Sequence, residues 1–191
     1  MWRIRSSVAP SRGLGVTTPL AAFLFLLVAW GGCREEGPAG YRPTHPQARY
    51  LDISRVEFDD GDTFLLDGKP VRILGIDTPE TKSPSVGILE DQPYGPEAAD
   101  STRALMTRAE LLEWVPDGRD TYGRRLAHVL VDGKLLAVEL IHMRLAYENV
   151  SFFGDNGYPD LAQKILEASR ETPRPPFEPP YRWRKKHQNR Q

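Results

Sequence analysis

The chain has 191 residues, 40% hydrophobic and 27% charged, with a formal net charge of −1, enough for one domain with a real core. Its only cysteine, Cys33, excludes an internal disulfide and any cysteine-rich zinc site, and His45, His128, His142 and His187 are too scattered to suggest a histidine cluster. Residues 33–172 hold 16 basic against 25 acidic side chains, whereas residues 173–191 hold six basic ones and Glu178 alone, so the acidic body does not favour long-range attraction of nucleic acid.

The first segment, residues 1–32, reads as an export signal. Arg3, Arg5 and Arg12 form a positive leader, and residues 20–30 are an apolar run of eleven, too short for a membrane-spanning helix of the mature chain but suited to a signal core. Cys33 directly follows Gly31 and Gly32. That context resembles a bacterial lipoprotein site, with lipid on the sulfur, although Trp30 stands where such sites usually carry leucine. Ordinary secretion with cleavage nearby is the alternative. Residues 33–49, with Gly37, Pro38, Gly40, Pro43 and Pro46, read as a flexible linker.

Residues 50–172 carry the periodic patterns of a folded domain. Loose alternation over residues 50–58 predicts a strand; Asp60-Gly61 turns into a second at 63–66, and Asp67-Gly68 into a third at 71–76. This meander places Asp62 and Asp77 near one another. Residues 82–93 form a polar loop next to Glu80. Pro96 and Glu97 suit the first turn of a helix with Ala98, Leu105, Met106 and Ala109 inward. Two more strands follow at 111–115 and 126–131, then the Asp132-Gly133 turn and helices bearing Val138, Ile141 and Leu145, and Leu161, Ile165, Leu166 and Ser169. Five strands with interspersed helices are compatible with a small barrel, but periodicity alone does not choose it over another α+β fold.

The chemistry concentrates in two stretches, 60–81 and 120–124. Hard oxygen ligands such as aspartate suit calcium, which accepts loose geometry and several waters. An arginine fork matches two phosphate oxygens and stays protonated. A carboxylate not consumed by a metal is free to position or deprotonate water. Together these groups describe a place where a divalent cation and a phosphate sit side by side. Taken singly, Asp60-Gly61-Asp62 is an ordinary turn and Tyr122-Gly123-Arg124 a plain loop. Arg72 is harder to dismiss: inside an apolar strand it needs an anionic partner, either an internal carboxylate or a phosphate.

The motifs DGDT at 60–63, R-x4-DTPET at 72–81, YGPEA at 94–98 and YGR at 122–124, in this order, resemble the staphylococcal (micrococcal) nuclease or thermonuclease family. The likeness covers roughly residues 56–171. It implies an α+β fold, a five-stranded OB-fold β-barrel with about three packed helices, and calcium-dependent hydrolysis of DNA and RNA leaving 3′-phosphate ends. Position by position, it implies Ca²⁺ ligation by the side chains of Asp62 and Asp77 and the carbonyl of Thr78, with Asp60 in the outer shell. Glu80 falls where the family keeps its proposed general base, and Arg72 and Arg124 where it keeps its phosphate-binding arginines. Tyr122 matches a tyrosine that meets base or sugar. Departures exist: Thr121 replaces a lysine, and Val150 falls where a second tyrosine is expected, with Tyr147, Phe152 or Phe153 as substitutes. The reading is of a monomeric, exported endonuclease acting on DNA or RNA, membrane-anchored by lipid or secreted. Arg72→Ala and Arg124→Ala should each lose turnover and keep the fold. The rival is a non-catalytic OB-fold module binding nucleic acid or a protein at the envelope.

The basic tail, residues 173–191, interleaves Tyr181 and Trp183 with arginines and lysines. It suits gripping a single strand, lying on anionic lipid, or remaining solvated and disordered.

Overall fold

Two Asp-Gly pairs set the sheet register in the computed structural model, which describes residues 37–187. The expected signal segment, Cys33 and residues 188–191 lie outside the described residues. Asp67 and Gly68 both adopt positive φ, 53° and 68°, the requirement of a two-residue type I′ hairpin. They join β3 (Thr63–Leu66) to β4 (Lys69–Ile73) in antiparallel register, Leu66 opposite Lys69. Asp132 and Gly133, at 50° and 77°, likewise join β7 (Arg125–Val131) to β8 (Lys134–Leu135). Asp60-Gly61 is different: Gly61 is not in the left-handed region, and the turn closes instead through Asp60 Oδ1, which accepts from the Asp62 N–H at 2.9 Å.

The expected strand over 50–58 splits into β1 (Arg49–Tyr50) and β2 (Val56–Phe58) around a single 3₁₀ turn. With β6 (Leu112–Arg119), the main sheet runs β1-β6-β7-β4-β3-β2, and β8 adds to β7. All pairs are antiparallel except β4 with β7, where Arg72 faces Leu126. Two short strands, β5 (Ile76–Asp77) and β9 (Tyr147–Glu148), pair separately. The helices number five rather than about three among the described residues: α1 (Gly95–Arg108), α2 (Leu136–His142), the single turn α3 (Val150–Phe153), α4 (Pro159–Glu171) and α5 (Pro180–His187). This is the expected α+β, OB-type architecture with helices packed on a mixed sheet. Its core joins Phe64, Leu66, Val71, Ile73 and Val129 of the sheet to Met106, Leu140, Leu161 and Ile165 of the helices. None of the described helices is long and apolar enough to cross a membrane.

The linker differs from its expectation. Glu113 of β6 is fully buried, and a buried carboxylate needs donors. Residues before β1 supply them: Tyr41 Oη donates to Glu113 Oε1 at 2.8 Å, the Thr44 N–H donates to the same oxygen at 2.9 Å, and the Thr44 hydroxyl donates to Oε2. Residues 41–48 are therefore part of the domain. Tyr41→Phe removes one charge-assisted bond and should lower unfolding free energy by about 1–2 kcal/mol, measured by urea titration.

His128 on β7 is also buried, edge-on to Tyr158 at 5.5 Å, and neither ring nitrogen has a partner among the described residues. Burial holds its pKa down at about 4. The folded state therefore keeps the ring neutral while the unfolded chain takes a proton below about 6.5. This contribution is complete above pH 6.5 and is lost as pH falls toward 4. Unfolding titrations at pH 7 and pH 4.5 should show an acid loss smaller by about 2.5 kcal/mol in His128→Leu than in the wild type.

Candidate active site

Six of the predicted site residues converge. The meander β2-β3-β4 returns the chain so that Thr63 faces Arg72, and Asp62 stands at the mouth of that hairpin. Its backbone is pinned from two sides: its carbonyl accepts from the Ile73 N–H at 2.8 Å, and the Gly61 carbonyl accepts from Thr102 Oγ1 of α1 at 2.7 Å. The buried Asp62 carboxylate then accepts from Arg72 Nη1 through Oδ1 and from the Thr78 N–H through Oδ2 at 2.9 Å. Arg72 Nη2 reaches Asp77 Oδ1 at 2.8 Å and the Ile76 carbonyl at 3.3 Å. One guanidinium thus bridges both expected cation ligands. Of the two partners open to Arg72 from sequence, the internal carboxylate is the one it meets here.

Crowding sets the electrostatics. Burial, with Asp60 and Asp77 close by, pushes the Asp62 carboxyl up to about 7 despite the opposing pull of Arg72. Burial likewise raises Asp60, against Arg72. Burial raises Glu80, against Arg184 and with the help of Asp62. Arg72 is raised, because the attraction of Asp62, Asp77 and Asp60 outweighs its own desolvation.

Glu80 is held by its backbone. Gln92, itself buried, donates its N–H to the Glu80 carbonyl at 2.9 Å and accepts the Glu80 N–H at its Oε1, 3.3 Å away. Helix α1 starts against the same carbonyl. A Cβ on Gly95 would stand 2.2 Å from Glu80 O, so only glycine permits this approach.

Arg124 and Tyr122 belong to the β6–β7 loop. Asp120 Oδ1 accepts from the Tyr122 and Arg124 N–H groups, both at 2.9 Å, and its Oδ2 from Arg124 Nε at 2.7 Å. This leaves both Arg124 Nη atoms without a hydrogen-bond partner among the described residues. Leu126 pairs with Arg72 across the parallel strands, and Arg124 lies two residues before it. Arg124 itself stands in the loop, one residue before β7 begins, and its hydrogen bonds go to Asp120 rather than to the nest. Tyr122 is 85% exposed, with the Arg124 guanidinium 5.7 Å from its ring centroid. Of the substitutes for the second tyrosine, Tyr147 is committed to donating to the Phe177 carbonyl at 2.7 Å, while Phe152 and Phe153 are exposed.

The residue that motif reading misses is Arg184. Residues 172–187 are folded, contrary to the solvated alternative. Phe177 is buried against the rings of Tyr94 and Tyr147, at 5.6 and 5.5 Å, and Gln92 Nε2 donates to the Glu178 carbonyl at 2.6 Å. Helix α5 then buries Trp183 and brings Arg184 onto the nest. Its Nη1 donates to Asp77 Oδ1 at 3.2 Å and to Glu80 Oε1, and its Nη2 to Asp77 Oδ2 at 3.1 Å. The only hint in the sequence is charge, a basic tail on an acidic body.

An OB-type domain whose first hairpins carry clustered carboxylates crossed by arginines defines a staphylococcal-nuclease-type domain. Residues 70–172 match the family described as Staphylococcal nuclease homologue, and the chain belongs to that family. It is 38% identical over 117 residues to Endonuclease YncB of Bacillus subtilis (strain 168), covering 58% of this chain and 54% of that protein. To the Thermonuclease of Staphylococcus hyicus it is 39% identical over 97 residues, 48% of this chain and 53% of the relative. To the Thermonuclease of Staphylococcus intermedius it is 37% identical over 116 residues, 58% and 66% of the two chains. The chain thus spans about half the length of the first two of these relatives.

The environments of the two arginines separate their structural weights. Arg72→Ala strands Asp62 in the interior, so it should cost about 3 kcal/mol or more of stability in addition to the expected loss of turnover. Arg124→Ala, with its partly exposed partner, should cost under about 1 kcal/mol. Denaturant unfolding of both variants checks this.

Proposed function

We propose that this chain is a calcium-dependent nuclease that hydrolyses phosphodiester bonds of DNA or RNA, leaving 3′-phosphate ends. It would act as a monomer, exported and held at a membrane by lipid on Cys33 or released. The observation that carries this reading is the single buried nest of Asp62, Arg72, Asp77 and Glu80 in a member of a family whose relatives are named thermonucleases and endonucleases.

The donor set fits a divalent cation. Four carboxylates (Asp60, Asp62, Asp77 and Glu80) face two guanidiniums (Arg72 and Arg184), a balance of −2 when all are ionised. Among the described residues no three His, Cys, Asp or Glu side chains form a metal cage, so waters and carbonyl oxygen would complete the shell, as calcium allows. Asp62, Asp77 and the Thr78 carbonyl would hold the ion, with Asp60 behind them. Bound there, it would neutralise charge on the phosphate and act as a Lewis acid.

The remaining residues do the work around it. Glu80 Oε2, the oxygen not engaged by Arg184, takes the proton of the attacking water. Arg124, with both Nη atoms unengaged among the described residues, grips the phosphate through its fork. Arg72 stabilises the charge that builds on the equatorial oxygens. Tyr122 stacks on base or sugar beside Arg124. The rival reading, a non-catalytic binding module, gains support from Arg184 occupying the nest.

Digestion of single-stranded DNA with calcium, then with a chelator, followed by end-group analysis, separates the two. Cleavage should require the metal and leave 3′-phosphates, and Arg124→Ala should slow it about 100-fold or more. Binding without cleavage would refute the enzyme.

A further inference from the structure

The strap that carries Arg184 is built to hold it. Trp183, the preceding residue, is buried and stacks on His187 at 4.4 Å. Lys186 pairs with Glu178 at 2.7 Å, and Phe177 and Glu178 are fastened to Tyr147 and Gln92. A loosely solvated arginine would need none of this. The strap places one guanidinium over both oxygens of Asp77 and one of Glu80. Arg184 is also the nest's outer surface: its side chain is 30% exposed, against 12% for Asp77, 11% for Glu80 and 2% for Asp62.

Two positive groups cannot share those oxygens freely. A calcium ion bound by Asp77 would sit about 2.4 Å from a carboxylate oxygen. The guanidinium nitrogens already lie 3.1 and 3.2 Å from the same pair. Like charges this close repel strongly in a partly desolvated site. The strap's positive charge therefore brings the nest from −3 to −2 while the metal is absent, and works against the metal when it arrives.

We infer that Arg184 is a tethered substitute for the divalent cation, which must displace it from Asp77, so that the strap sets how much cation the site requires. This rests on the reading that Asp62 and Asp77 hold the metal. It deepens that reading by naming the residue that tunes affinity. It also assigns the basic tail a partner within the chain.

Calorimetric titration of Ca²⁺ into the full chain, in wild type, Arg184→Ala, Arg184→Lys and Asp62→Asn, tests it, with circular dichroism confirming that each variant is folded. Arg184→Ala should bind about tenfold more tightly than wild type, the scale of losing a charge-assisted pair, and Arg184→Lys should fall between them. Arg184→Ala binding no more tightly than wild type would overturn the proposal, as would Arg184→Lys matching Arg184→Ala, since the effect would then not follow charge. Asp62→Asn should lose Ca²⁺ binding; if it binds like wild type, the metal-site reading itself fails. A fluorescent single-stranded oligonucleotide, titrated in chelator, supplies the last arm. Weaker oligonucleotide binding by Arg184→Ala together with unchanged Ca²⁺ affinity would make Arg184 a phosphate clamp and refute the substitution model.

Discussion

Like charge confined in a small volume is the constraint from which the site follows. Asp62 and Asp77 are buried within reach of one arginine, and neither carboxylate is tolerable in the interior without it. Arg72 is therefore both a structural member and a candidate for chemistry. Its bridge draws the mouth of the β3–β4 hairpin onto β5 and thereby fixes where Thr78 and Glu80 must lie. Burial, with Asp60 and Asp77 adding to it, raises the Asp62 carboxyl despite this one cation. Arg184, arriving from the far end of the chain, adds a second cation at Asp77 and Glu80.

Around the nest, ordinary local chemistry does the positioning. The positive φ of Asp67 and Gly68 fixes the register that brings Arg72 opposite Thr63. The start of α1 against the Glu80 carbonyl and the clasp from Gln92 hold the acidic loop from the other side. Neither device resembles a catalytic group, yet a side chain at residue 95 would shift the Glu80 backbone.

What could be read in the sequence divides by distance along the chain. Asp60, Asp62, Arg72, Asp77, Thr78 and Glu80 lie within some twenty residues, and turn rules with strand alternation suffice to bring them together. The strands around 63–66 and 126–131 could be seen, and α4 carried enough helical period, whereas the expected strand 71–76 stops at Ile73 and Leu74-Gly75 turn into the separate β5. The two-residue strands β5 and β9 did not, because so short a segment has no period to read. Contacts between remote segments were invisible for a different reason. Tyr41 meets Glu113 across 72 positions and Arg184 meets Asp77 across 107, and no local pattern encodes such pairings. Helix α5 was hidden by its composition, one buried tryptophan among arginines and lysines, which reads as a solvated stretch.

The parallel pairing of β4 with β7 bears on how this molecule comes into being. A hairpin closes quickly, but two strands running the same way must wait for the intervening crossover, here α1 and β6, to settle. Arg72 can find its aspartates through local segments alone, whereas the β6–β7 loop that carries Arg124 is brought to β4 only by that docking. The acidic half of the site is thus encoded by local closure, while the loop that bears the second arginine depends on contacts made later along the chain.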